Sequence, residues 1–220
     1  MITPLKKTAL HDLFHKPVLF DANIFMVGIS DRTSDKNCSF ENMKKMFIEP
    51  LLESFKDIYI HEEVYRELDE ESRSFVDMYV GRNVTLVNEG DLYGRDPKYT
   101  TIFNNIAKHE LINYVRGQSK DRGEVYSLAY AAYYNMNYFC SKEIMVDNVA
   151  YDLEDLKDVD IITFDIILLS AYVYYAERND NSNSKGLKSM YKKYCADVIK
   201  RHQLPATLGE YIKANQDYLY

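Results

Sequence analysis

The sequence predicts an α/β fold, a three-layer sandwich built around a central, mostly parallel sheet. Short apolar runs with strand character alternate along the chain with longer stretches whose apolar residues recur every three or four positions. Strands that alternate with helices favour parallel pairing, because each helix carries the chain back to the same edge of the sheet. The chain has 220 residues, 46% of them hydrophobic, which is enough for one such domain with additions.

Five runs predict the strands of this sheet. The run "PVLF" is the first, and "NVTLVN" reads as an edge strand because polar residues bound it. In chain order, the predicted strands are 17–20, 57–60, 83–88, 138–141 and 160–164.

Helical spacing accounts for most of the remaining chain. The stretch 41–55 reads as an amphipathic helix adjusted near Pro50, and the stretch 99–117 as a helix that ends at Gly117. Further helices are predicted over 61–79 and 121–136.

The C-terminal part of the chain predicts a helical extension. Residues 179–186 are rich in Asn and Ser and read as a flexible connection between an α/β domain over 1–178 and an extension over 187–220. Two helices are expected in the extension, over 187–202 and 207–219, and the first should bury Leu187, Tyr191, Tyr194 and Val198.

Composition narrows the class of protein. The net charge of −7 disfavours a protein that coats nucleic acid through its overall field. No apolar run approaches the roughly 18–20 residues that cross a membrane, and the N-terminal residues lack the apolar core of a signal peptide. Three widely separated cysteines, Cys38, Cys140 and Cys195, are expected to be reduced, which suits a cytoplasmic protein without membrane partners.

Four acids lie where a predicted strand passes into a helix, or near the start of the helix that follows. They are Asp21, Glu67, Glu124 and Glu143. Loops at the carboxyl ends of parallel strands gather around one crevice, so these side chains are expected to converge there. Clustered carboxylates raise one another's pKa, and a hard divalent cation would relieve the repulsion. Mg²⁺ or Mn²⁺ is favoured, because no His and Cys residues have the spacing of a zinc site.

Each acid alone has a simpler interpretation. Asp21 after a strand is often only a helix N-cap, and Glu124 in a first helical turn interacts favourably with the helix dipole. Glu67 lies among other acids on what reads as a solvated helix face, and Glu143 reads equally well as a surface acid. The hypothesis of a shared site therefore depends on the four together.

Four short motifs in this order resemble the PIN domain, a family of metal-dependent nucleases. They are "LFDANIF", "VYREL", "GEVYSLAYA" and "YFCSKE". The later stretch "DVDIITFDIILLSA" is similar to the closing strand and helix of a PIN subgroup that carries a Gly-Glu motif. The resemblance covers roughly residues 17–175.

The resemblance implies a role for each motif residue. Asp21, Glu67, Glu124 and Glu143 match the family's four acids in order, as catalytic residues and metal ligands. The family usually has Asp at the fourth position, often in a Thr-x-Asp setting, whereas this chain has Glu143. The supporting residues would be Asn23 after the first acid, Asp121 beside the third, Ser141 in place of the Thr, and Asp147 as a substitute fourth acid.

The implied activity is hydrolysis of single-stranded RNA. One or two Mg²⁺ or Mn²⁺ ions would activate a water and stabilise charge on the phosphodiester. Lysines of the extension, Lys188, Lys192 and Lys193 among them, are candidates for RNA contact, although a solvated helix face explains them equally well. A toxin-type nuclease held by a small antitoxin-type protein stays open, and so does a homodimer.

Two other classes remain as alternatives. The first is a PIN-like module that has lost catalysis and serves for binding, for which Glu143 and the acidic net charge leave room. The second is a haloacid dehalogenase-type phosphatase. Such a phosphatase needs Asp-x-Asp after the first strand, and this chain has Asp21-Ala22-Asn23 there.

Overall fold

A computed structural model describes most of the chain, over residues 13–26, 40–116, 120–178, 184–196, 199–200 and 203–215. The strands are β1 Val18–Phe20, β2 Ile58–His61, β3 Val84–Val87, β4 Tyr138–Cys140 and β5 Asp160–Ile162. The helices are α1 Ala22–Phe25, α2 Phe40–Met43, α3 Glu49–Ser54, α4 Glu62–Glu67, α5 Glu70–Asp77, α6 Pro97–Ala107, α7 Arg122–Tyr134, α8 Ile144–Asp152, α9 Phe164–Glu177, α10 Ser184–Tyr194 and α11 Leu208–Ala214. A π-helical turn, Lys44–Ile48, joins α2 to α3, and a 3₁₀ turn lies at Glu154–Leu156.

The five strands form one sheet in the order β3-β2-β1-β4-β5, and every pairing is parallel. The predicted α/β fold with a parallel sheet flanked by helices is confirmed. Each predicted strand is present within one or two residues of its predicted bounds, and β3 lies at the edge where the sequence placed it.

Chain order reverses direction in the sheet at β1. Successive strands β2 and β3 lie on one side of β1, and β4 and β5 lie on the other. In open parallel sheets the crevice beside such a switch point, at the carboxyl ends of the strands, is where ligands bind. The end of β1 and the end of β4 are adjacent there, since Phe20 pairs with Cys140.

Two compact units share the chain. One contains residues 17–27 and 57–163, and therefore the whole sheet with α1 and α4 to α8. Its core combines apolar residues of α6, α7 and α8 with strand residues such as Leu19 and Phe139, all of them buried. The continuous apolar pattern of β1 and β4 follows from this, because both strands are buried along their whole length.

The other unit contains residues 1–16, 28–56 and 164–220. The ring of Phe47 packs edge-on against Phe164 at 5.3 Å, and the Tyr211 hydroxyl donates to buried Asp165 at 2.7 Å. Helix α9 thus groups with the C-terminal helices, whereas the sequence placed a domain boundary after residue 178. The division into a domain over 1–178 and an extension over 187–220 stays a prediction.

The extension is helical, as predicted, but its first helix begins earlier. Helix α10 starts at Ser184, inside the stretch predicted as a flexible connection. Leu187 and Tyr191 are buried as expected, and Tyr194 is half-buried. Val198 and residues 179–183 lie outside the described part of the chain.

Two other predicted helices have different bounds. The stretch 61–79 forms two helices, because Asp69 caps α5 by accepting from the Ser72 N–H at 2.7 Å and so starts a new helix. Helix α6 ends at Ala107, ten residues before Gly117. The chain turns there, and the ring of Tyr114 folds back against Phe103 at 5.6 Å.

The adjustment predicted near Pro50 is the π-helical turn just before it. Proline has no N–H to donate, so the regular ladder is interrupted, and the Glu49 N–H bonds to Lys44. In the described residues no helix is both long enough and apolar enough to span a membrane.

Candidate metal centre

The end of β1 presents Asp21 next to the end of β4. The Asp21 N–H donates to the Cys140 carbonyl at 3.0 Å, so the residue after each strand, Asp21 and Ser141, continues the sheet pairing. Both side chains are buried. The first predicted acid therefore lies at the switch point of the sheet.

Among the described residues, the hydrogen-bond donors to the Asp21 carboxylate are neutral. Its Oδ1 accepts from the Ala22 N–H at 2.8 Å, and its Oδ2 accepts from Asn23 Nδ2 at 2.5 Å and from Ser141 Oγ at 2.9 Å. Asp21 is 1% exposed. Burial, together with repulsion from Glu67 and Glu143, raises its pKa to about 7 in spite of these hydrogen bonds.

The helix-cap interpretation explains Asp21 poorly. An N-cap side chain ordinarily accepts from the second or third N–H of its helix, whereas Asp21 accepts from the first. Helix α1 has only four residues, so little helix is gained for the cost of burying a carboxylate.

Asn23 and Ser141 connect the ends of β1 and β4. The Asn23 amide donates to Ser141 Oγ at 3.1 Å, and its carbonyl oxygen accepts from the Lys142 N–H at 2.9 Å. Ser141 Oγ also accepts from the Glu143 N–H at 3.1 Å. These bonds fix the Asp21 carboxylate and the start of α8, where Glu143 lies, as one hydrogen-bonded unit.

Glu67, at the end of α4, bonds to the start of α7. Its Oε1 accepts from the Gly123 N–H at 3.1 Å. A Cβ at position 123 would lie 2.9 Å from this oxygen and 3.1 Å from Oε2, so the Glu67 carboxylate would have to shift to accommodate it. Glycine at 123 therefore makes room for the Glu67 carboxylate. Sequence reasoning missed this function of Gly123, although the letters "GE" marked the place.

Glu124 is the next residue of α7 and faces the other acids. It is 8% exposed, and burial with repulsion from Asp21, Glu143 and Glu67 raises its pKa to about 9. A helix dipole alone would lower the pKa of an acid in the first turn. The rise shows that desolvation and the neighbouring acids prevail.

Glu143 completes the group and is its exposed member. It directly precedes α8, and its side chain makes no capping bond to that helix. Desolvation and repulsion from Asp121 raise its pKa, whereas Lys142 lowers it. The pKa of Glu67 is raised in the same way, by desolvation first, then by Glu63 and Glu143.

The two further acids differ in position. Asp121 adopts a left-handed backbone conformation (φ 51°) ahead of α7, and its Oδ2 accepts from the Asn113 N–H at 2.6 Å. It contributes to the group through its charge on Glu143. Asp147 lies one turn into α8, half-buried, and makes no described contact with the four acids.

Sequence reasoning also missed how the nearby cations are engaged. Arg122 lies beside Glu67 and lowers its pKa, but its guanidinium binds Glu63, with Nε 2.6 Å from Oε2 and Nη2 3.0 Å from Oε1. Arg66 pairs with the same Glu63. Both arginines therefore pair with Glu63, a fifth acid outside the group of four.

The residues fit a hard divalent cation by chemistry. Four carboxylates from separate parts of the fold repel one another, and oxygen donors of this kind are those that Mg²⁺ and Mn²⁺ prefer. As placed in the described residues, no three His, Cys, Asp or Glu side chains form a ready metal-binding group. Binding would thus require side-chain rotation, for which exposed Glu143 and half-buried Glu67 have room.

The four acids are partly accessible, since Glu143 is exposed and Glu67 is half-buried. A groove of about 360 Å³ elsewhere in the sheet-bearing unit has none of the acids in its lining, which is formed by Pro97, Lys98, Thr101, Ile102 and Asp155. Lys188, Lys192 and Lys193 are exposed on α10, in the other unit, and their contact with RNA stays a prediction.

Comparison of the chain with protein-family models, curated proteins and solved structures gives no match. The inference of function therefore depends on the geometry and electrostatics of the acid cluster formed by Asp21, Glu67, Glu124 and Glu143.

Proposed function

We propose that the chain is a Mg²⁺- or Mn²⁺-dependent ribonuclease of the PIN type that hydrolyses phosphodiester bonds of single-stranded RNA. The observation that carries the proposal is the acid cluster at the switch point. The four carboxylates lie directly after β1, at the end of α4, at the start of α7 and just before α8, and the pKa of each is raised. Such repulsion lowers the stability of the folded state unless a cation offsets it.

Asp21, Glu67, Glu124 and Glu143 would hold the cation. A bound divalent cation supplies Lewis acidity, which offsets charge on a phosphodiester and lowers the pKa of water. Asn23 and Ser141 orient the Asp21 carboxylate through the bonds described above. Glu124, with a pKa of about 9, carries a proton at neutral pH that cation binding would displace.

A PIN-like binding module without catalysis is the second candidate. The observation that favours it is that the described acids do not already form a three-ligand group. This candidate predicts weak binding of divalent cations and no RNA cleavage. The ribonuclease predicts both cation binding and cleavage.

The test is cleavage of an unstructured single-stranded RNA by the full chain with Mn²⁺ and with EDTA. Asp21→Asn should lower the cleavage rate at least 100-fold, because it removes the central charge of the cluster. A matched control is Asp69→Asn. Asp69 is an ordinary N-cap with a bond to the Ser72 N–H, and Asn caps about as well as Asp.

The two variants separate the interpretations of Asp21. If Asp21 only caps α1, both variants retain the wild-type rate. If Asp21 holds a catalytic cation, only Asp69→Asn retains the wild-type rate. An EDTA-resistant rate, or an unchanged rate for Asp21→Asn, would overturn the proposal.

A further inference from the structure

Next to the acid cluster, aromatic rings and arginines form a continuous surface. We call it the Arg–Tyr rim and define it by Tyr93, Tyr114, Arg116, Arg122 and Tyr126. Arg122 lies over the ring of Tyr126 at 5.5 Å, and Arg116 over the ring of Tyr93 at 5.9 Å. The Tyr114 and Tyr126 rings are 6.3 Å apart, and the ring of Phe103 contacts Tyr93, Tyr114 and Tyr126 from below.

The rim differs in charge from the chain as a whole. Residues 108–122 contain four Lys and Arg but only two acids, in a chain whose net charge is −7. Arg116 is exposed, whereas Arg122, about a third of whose side chain is accessible, is paired with Glu63. A local excess of positive charge beside clustered acids is suited to an anionic chain that has to approach them.

Apolar side chains are exposed at the same place. Val115 is 52% exposed, and Tyr93 and Leu111 are each 37% exposed. Flat aromatic rings with guanidinium groups beside them are the surface on which unpaired bases stack, without preference for sequence. Double-stranded nucleic acid would not present its bases to such a surface.

Contacts join the rim to the acid cluster. The Asn113 N–H, in the same segment as Tyr114 and Arg116, donates to Asp121, whose charge raises the pKa of Glu143. Arg122 directly precedes Gly123 and Glu124. A strand lying on the rim would therefore lead toward the carboxylates.

We propose that the Arg–Tyr rim binds the single-stranded RNA substrate, with bases on Tyr93 and its neighbouring rings and phosphates on Arg116. This inference deepens the proposed ribonuclease function and rests on it. It places substrate binding in the sheet-bearing unit, whereas the sequence suggested the lysines of α10.

The experiment measures binding of a fluorescein-labelled, unstructured 20-nucleotide RNA to the full chain in EDTA, by anisotropy. Arg116→Ala and Tyr93→Ala should each weaken binding at least 5-fold, and Arg116→Ala should also reduce the salt dependence. Arg95→Ala is the matched control. Arg95 is exposed two residues after Tyr93 but pairs with Asp91 at 2.5 Å, so binding should change less than 2-fold.

Cleavage with Mn²⁺ separates failure of the rim from failure of the function. If the wild-type chain cleaves RNA, the rim variants should raise KM and leave kcat within 2-fold of the wild-type value. If KM and anisotropy are unchanged in both rim variants, the rim does not bind the substrate, although the ribonuclease proposal stands. The same conclusion follows if binding is lost only when Lys188, Lys192 and Lys193 are substituted. Rim-dependent binding without cleavage would support the rim and contradict the nuclease. A wild-type chain that neither binds nor cleaves RNA would contradict both, and would leave Leu111 and Val115 as a surface for a protein partner.

Discussion

The two ends of helix α4 carry the same kind of side chain in opposite electrostatic settings. At its start, buried Glu63 binds two arginines, Arg66 and Arg122. At its end, Glu67 bonds to a backbone N–H and otherwise faces other acids. A carboxylate at the first end completes an ion pair, whereas at the second end it adds to an excess of negative charge.

The pKa values follow this difference. Glu89, close to the start of α4, lies 3.2 Å from the His61 ring nitrogen, and this partner lowers its pKa in spite of burial. Burial without such a partner raises the pKa of Glu67, and raises that of Glu124 to about 9. Burial of an acid therefore does not identify a functional site. Burial among other acids, beside arginines that pair with Glu63, is the setting for which we propose a bound cation.

Gly123→Ala is expected to have the largest effect at the Glu67 end of α4. A methyl group there would lie 2.9 Å from Glu67 Oε1, so the carboxylate would have to move. We expect at least a 10-fold loss of Mn²⁺ affinity and of RNA cleavage, measured by calorimetry and by cleavage assay.

Gly209→Ala is the matched control for this substitution. Gly209 also lies in the first turn of a helix, α11, and a Cβ there meets nothing within 4 Å. Alanine should leave Mn²⁺ affinity unchanged and stabilise the helix by up to about 1 kcal/mol. Equal Mn²⁺ affinity in the two alanine variants would show that Glu67 does not take part in the site.

The same comparison predicts how stability depends on pH. The pKa of Asp21 rises from 3.8 to about 7 on folding, and that of Glu124 from 4.5 to about 9, so the folded state binds more protons than the unfolded state across this range. Stability from these groups is complete below pH 4 and is lost as pH rises through 7 and 9. Without divalent cations, the free energy of unfolding should fall by about 3–6 kcal/mol between pH 5 and pH 8, measured with urea.

Two substitutions sharpen this measurement. Glu124→Gln should flatten the decline, because the glutamine cannot ionise. Asp96→Asn should change stability by a similar amount at pH 6 and pH 8, since hydrogen bonds from the Tyr99 N–H and the Tyr133 hydroxyl lower the pKa of Asp96 and the acid is ionised throughout. A flat profile in the wild-type chain would contradict the raised pKa values.

Topology was accessible from the sequence because it depends on local patterns. Buried strands such as Val18–Phe20 read as continuous apolar runs, and acids directly after strands must gather at one edge of a parallel sheet. The order of the elements was therefore enough to expect Asp21 and Glu143 near each other, whereas Glu67 and Glu124 lie on helices α4 and α7.

Features that depend on distant contacts were not accessible. The contact between Gly123 and Glu67 joins residues 56 positions apart, and the pairing of Arg122 with Glu63 joins residues 59 positions apart. The early end of α6 depends in the same way on Tyr114 packing against Phe103. The break at Asp69 is different, because an Asp three residues before Ser72 is a local capping pattern that the periodicity of 61–79 concealed.

Titration of Mn²⁺ into the full chain by calorimetry, at pH 6 and pH 8, tests the central claim that the acid cluster binds a divalent cation. Bound cation must displace the protons held by Asp21 and Glu124, so affinity should rise at least 10-fold between these pH values, with protons released to the buffer. In the Asp21→Asn variant, saturable Mn²⁺ binding should be lost at both pH values. Mn²⁺ binding that is independent of pH, or that survives Asp21→Asn, would contradict the account.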